Sequence, residues 1–178
     1  MPPKSKLTRT DIVEKAFSLT RLMGYENITA RLLARELQCS TQPIFHIFKN
    51  MDELKKELYE KTRNYFTEVM LVPSSDPNTP LFLSMGMHYV ALAQKEKHLF
   101  QLLCMSDSFQ LKSIYQLAEG IPASADAGLF TKMWIFTHGI ASIAATNTTD
   151  LPQEEIRQLL IEVFKDFYKG DGNEKTQA

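Results

Sequence analysis

The stretch from Thr29 to Phe48, TARLLARELQCSTQPIFHIF, constrains this chain more than any other part of it. It has room for two short helices and a turn between them. Thr29 is suited to cap a helix, because its hydroxyl can accept from a first-turn backbone N–H that lacks a partner within the helix. Leu33 and Leu37 are four apart and share a face. Ala34 is small, so a second helix can cross close to it. Gln38-Cys39-Ser40 is too short for anything but a turn, and Ser40 is a second cap. Ile44, Ile47 and Phe48 then give the second helix an apolar side. This apolar set, with a small residue at the crossing, is the pattern of a DNA-binding helix-turn-helix. Thr41, Gln42, Pro43 and His46 would face outward, where short polar side chains suit base edges.

The flanks extend the pattern. A helix is expected from Thr10 to Met23, with Ile12, Val13, Ala16, Phe17, Leu19 and Leu22 as its covered face. Gly24 supplies its C-cap. Asn50 caps a fourth helix over Met51–Met70, with Glu53 as a capping-box partner. The run TRTDIVEKAFSLTRLMGYENIT…LARELQCS…IFHIFKNMDEL resembles the N-terminal domain of the TetR family of one-component transcriptional regulators. Order, spacing and residue types all agree over that part of the chain. Three positions depart from the family. Gln38 stands where it usually has Gly in the turn, and a non-Gly residue held left-handed there costs about 1 kcal/mol. Phe45 and Met51 replace a Tyr and a Lys that contact phosphate in the family.

The resemblance implies a fold, a partner and a set of contacts. The fold class is all-α, with a three-helix DNA-binding domain over residues 1–50. A helical bundle for ligand binding and dimerisation follows over residues 51–178. Ser40, Thr41, Gln42, Pro43 and His46 would enter the major groove of a near-palindromic duplex, and Phe45, at the position of the family's phosphate-contacting Tyr, is a further DNA-binding candidate. Gln42 can pair with adenine N6 and N7, and Pro43 can pack on a thymine methyl. Lys49, Arg31, Thr29 and Thr10 would hold phosphates. Lys4, Lys6 and Arg9 could also lie along phosphates from the N-terminal arm, which is equally a solvated terminus.

Charge agrees with this division. Residues 1–70 hold 12 Lys+Arg against 9 Asp+Glu, a balance of +3, and residues 71–178 hold 8 against 12, a balance of −4. A basic first part with an acidic remainder suits DNA at one end only. No apolar run approaches the roughly 18 residues a membrane span needs, and the start has no apolar signal core. Cys39 and Cys104 lie far apart without metal-ligand spacing, as in a reduced, cytoplasmic protein. Phosphate-binding Gly-rich loops, nucleophile elbows and Cys-x-x-Cys pairs are absent from the sequence. So are the Glu-x-x-His pairs of a di-iron bundle. The expectation is a chain that is no enzyme, with no cofactor and no metal.

Beyond a Pro- and Ser-rich break at 73–80, further helices are expected over 81–94, 97–105, 108–119, 123–146 and from Pro152 onward. The segment from Phe82 to His138 is rich in Met and aromatic residues. Most of it reads as core. A functional reading adds a site for a small apolar effector between helices. Its candidates are Phe82, Met85, His88 and Tyr89, then Phe100, Leu103 and Tyr115, then Met133, Trp134, Thr137 and His138. Trp134…His138-Gly139 is similar to a Trp-His-Gly signature in the regulatory domain of one TetR subgroup. His88 and His138 are open to a second reading, as hydrogen-bonded core histidines. Ile156, Leu159, Leu160, Val163, Phe164 and Phe167 form the cleanest amphipathic stripe, and they are the expected homodimer interface. Residues 170–178 are expected to lack regular structure. The function these features suggest is a ligand-responsive dimeric regulator, a repressor released by its effector. The alternative is a helical adaptor or ligand carrier without DNA binding.

Overall fold

The structure is a computed structural model that describes residues 7–74, 76–77, 79, 81–105, 127–146 and 151–174. Among these every regular element is helical: α1 (Arg9–Met23), a 3-10 turn (Tyr25–Asn27), α2 (Ala30–Glu36), α3 (Thr41–Ile47) and α4 (Met51–Met70). These are followed by α5 (Leu81–Lys95), α6 (Lys97–Cys104), α7 (Ala127–Ala145) and α8 (Gln153–Glu174). The helix expected over 108–119 lies outside the described residues, as does the arm carrying Lys4 and Lys6. The last helix continues to Glu174, past the point where the sequence suggested it would end.

The described residues fall into two units. One holds α1 to α3, α4 up to Tyr65 and α6 from His98. The other holds the rest of α4 from Phe66, α5, α7 and α8. α4 therefore contributes to both units, and α6 joins the first.

In the first unit, α1 begins one residue earlier than expected. Thr8 is its cap, and its hydroxyl accepts the Asp11 N–H at 3.1 Å while the Asp11 carboxylate accepts the Thr8 N–H at 2.9 Å. The Asp11 carboxylate also lies 2.7 Å from the Thr8 hydroxyl, and hydrogen bonds from that hydroxyl and from the Thr8 N–H hold the carboxyl below the usual range. Ile12, Val13, Ala16, Phe17, Leu19 and Thr20 are buried. Leu22, expected in this face, is 74% exposed. At 3.6 residues per turn the face carrying Ile12, Val13, Ala16 and Thr20 has rotated past it. Phe17 meets Tyr65 of α4 edge to face at 5.6 Å, and Lys61 bonds Glu14 at 2.6 Å. On α4, Leu54, Leu58, Thr62 and Phe66 are buried at four-residue spacing.

In the second unit, α5, α7 and α8 pack mutually. Gly86 of α5 lies against both other helices. A Cβ there would meet Leu160 Cδ1 of α8 at 3.3 Å and Thr137 Cγ2 of α7 at 3.7 Å. Ile156 and Leu160 of the α8 stripe are 0% and 1% exposed within the single chain. Leu159, Val163 and Phe167 are half-buried and Phe164 is 39% exposed. The stripe thus divides: its first turns serve the chain's own core. In the single chain α7 has an open side. Ile135 and Ile143 are 60% and 43% exposed, and a Cβ at Gly139 between them would meet nothing within 4 Å.

Candidate functional site

The turn between α2 and α3 places the candidate residues. Thr29 caps α2, its hydroxyl accepting the Leu32 N–H at 3.1 Å. The helix closes with Cys39 N–H donating to Ala34 O at 2.9 Å and Gln38 N–H donating to Arg35 O at 3.1 Å. These are the two bonds of a Schellman closure, whose left-handed residue is here Gln38 at φ 53°. Gln38 is the one non-Gly residue with positive φ among those described. Ser40 then occupies the cap position of α3, although its hydroxyl makes no capping bond.

Across α3 the environment splits cleanly. Ile44 and Phe48 are each 1% exposed, four residues apart on the covered side. Gln42, Phe45 and His46 are exposed on the other side, with Lys49 just beyond the helix. Phe45 is 48% exposed. Thr41 and Pro43 are half-buried at the flanks, and Ser40, Arg31, Thr29 and Thr10 are exposed. Thr10 lies inside the first turn of α1 rather than at its cap.

Arg9 has a different place from the one suggested for it. Its guanidinium donates to Glu57, to Glu53 at 2.6 Å and to the Ile47 carbonyl at 2.9 Å. It also lies 4.2 Å from the centre of the Phe48 ring. Glu53 in turn accepts the Lys49 N–H at 2.8 Å, while its own N–H donates to Asn50 Oδ1 at 2.9 Å. Asn50 thus caps α4 as expected, and only the return bond of the capping box goes to the Lys49 N–H instead of the Asn50 N–H. The bonds from Arg9 and Lys49 hold the Glu53 carboxyl below the usual range. Arg9 ties the start of α1 to the end of α3 and the start of α4. The available signal was Glu53 and Glu57, four apart on one helix face and able to share a cation.

In the second unit a cluster forms around His138. Its ring stacks on Trp134 one turn earlier, with centroids 4.8 Å apart and planes 17° apart. His138 Nδ1 and the Tyr89 hydroxyl of α5 share a 2.9 Å hydrogen bond. Burial lowers the His138 pKa and favours the neutral ring. Met85, Tyr89, Met133 and Thr137 are buried core, and the Thr137 hydroxyl donates to the Met133 carbonyl at 2.8 Å. His88 Nδ1 is buried without a hydrogen-bond partner among the described residues. Phe100 and Leu103 are buried and belong to the first unit. Tyr115 and the Phe82 side chain lie outside what the structure describes. No group of three or more His, Cys, Asp or Glu is placed to hold a metal among the described residues. No helix among them is long and apolar enough to cross a membrane.

No family model matches the chain, and no curated protein matches it significantly.

Proposed function

We propose that this protein is a DNA-binding transcriptional regulator of the TetR type, acting as a homodimer and released from its operator by a small apolar effector. The observation that carries the reading is the division of α3. Ile44 and Phe48 anchor it, while Gln42, Phe45 and His46 stand out together after a tight turn. Such a helix enters a major groove with its exposed face, and a Gln there pairs with adenine N6 and N7. Ser40 and Thr41 lie at its leading end. Lys49 and Arg31, both exposed, neutralise phosphates and set the register. Arg9 spends its charge on Glu53 and Glu57, and so it steadies α3 instead of binding the backbone.

Two further features support the regulatory half. The exposed Ile135 and Ile143 of α7 and Phe164 of α8 offer apolar area to a second copy, with Gly139 allowing close approach. The His138–Trp134–Tyr89 cluster pairs flat aromatic surface with a neutral imidazole. That combination suits a neutral, largely apolar ligand with one or two polar atoms.

The test is a salt-dependent retardation assay on genomic fragments. Gln42→Ala is expected to relax preference at one base pair and cost about 1–3 kcal/mol on the selected site. Lys49→Ala is expected to weaken all sequences alike and lower the salt slope by about one. Parent and variants that bind selected and random DNA identically would remove the reading.

A further inference from the structure

Phe45 is the anomaly on the exposed side of α3. Nearly half of its surface faces solvent, in a seven-residue helix whose other large apolar side chains turn inward. The ring has no donor or acceptor, so it cannot bond a phosphate. It lies three residues after Gln42, on the same exposed side, and these positions are about 5–6 Å apart on a helix. A carboxamide beside an apolar ring is the pairing that an A·T-rich edge asks for. Adenine presents N7 and N6 to the amide, and thymine presents a methyl group that only an apolar surface rewards. Pro43, the other apolar candidate on this helix, is partly covered.

We infer that Phe45 reads the 5-methyl group of a thymine in the major groove, within about two base pairs of the one that Gln42 contacts. The inference rests on the DNA-binding reading above and makes it more specific. The operator half-site then carries an obligatory thymine, recognised by contact rather than by hydrogen bonding. Removing a single methyl from water-excluded contact changes affinity about fourfold.

The experiment selects duplexes from a random library with the full-length protein. Each thymine of the enriched site is then replaced singly by deoxyuridine, which lacks only the methyl group. One thymine per half-site is expected to show a loss of about fourfold. Phe45→Ala is expected to bind the thymine duplex about as weakly as the parent binds the uracil one, and to lose the distinction between them. Phe45→Leu is expected to keep part of it. If a site is enriched but no uracil substitution matters, the inference falls while DNA binding stands. The same holds if Phe45→Ala discriminates as the parent does. If no sequence is enriched, both readings fall together.

Discussion

Gln38 sits at φ 53°, where a Cβ meets the neighbouring carbonyl, yet it completes both bonds of the turn that sets α3 against α2. The strain is local and modest, and the two hydrogen bonds with the burial of Ile44 hold it. Gln38→Gly removes the steric cost and leaves the bonds, so it is expected to stabilise the protein by about 1 kcal/mol. Urea unfolding checks this, and a clear loss of stability would mean that the Gln38 side chain contributes something its exposed position does not suggest. Thr29 and Asn50 were legible for the same reason as Gln38: a cap is a local event, and its donors lie within three residues. Arg9 was not, because its partners are 38 to 48 residues away and only the packing of α1 against α4 brings them within reach.

At the scale of elements, helical period placed nearly every described helix within a few residues, and α4 to the residue. Which side of each helix is covered was less legible. A stripe records apolar character, not the neighbour that covers it. In α8 one stripe serves two ends, since Ile156 and Leu160 go to the chain's own core and Phe164 does not. In α7 near-uniform hydrophobicity concealed an open side at Ile135 and Ile143. The small residues were more informative than the large ones. Gly86 lets α5 approach both Leu160 and Thr137, and even a Cβ there would require Leu160 to give by a few tenths of an ångström. Gly86→Val is therefore expected to push these helices apart at a cost of about 1–3 kcal/mol, whereas Gly139→Ala in the open side of α7 is expected to leave the single chain's packing intact. Denaturant midpoints of the two variants distinguish these sites.

At the scale of the whole molecule, the proposed function requires two copies. A single recognition helix covers one half-site, and a near-palindromic operator presents successive major grooves about 34–36 Å apart to two. The basic balance of residues 1–70 and the acidic balance of residues 71–178 keep the proposed DNA-binding and dimer-forming parts electrostatically distinct. The dimer can be tested separately from the fold because the α8 stripe divides. Leu160 is 1% exposed and lies within van der Waals range of the space beside Gly86. A carboxylate there would be buried among α5, α7 and α8 without a partner, so Leu160→Glu is expected to unfold the chain. Phe164 keeps 39% of its surface in the isolated chain, and a partner that covers the remainder gains about 1 kcal/mol per protomer. Phe164→Glu is thus expected to fold, with a melting temperature close to that of the parent at protein concentrations too low for dimers. It is also expected to sediment as a monomer where the parent is a dimer, and to bind operator far more weakly although Gln42, Phe45 and His46 are unchanged. A parent that stays monomeric at micromolar concentration, or a folded Phe164→Glu dimer, would put the twofold contact elsewhere on the molecule.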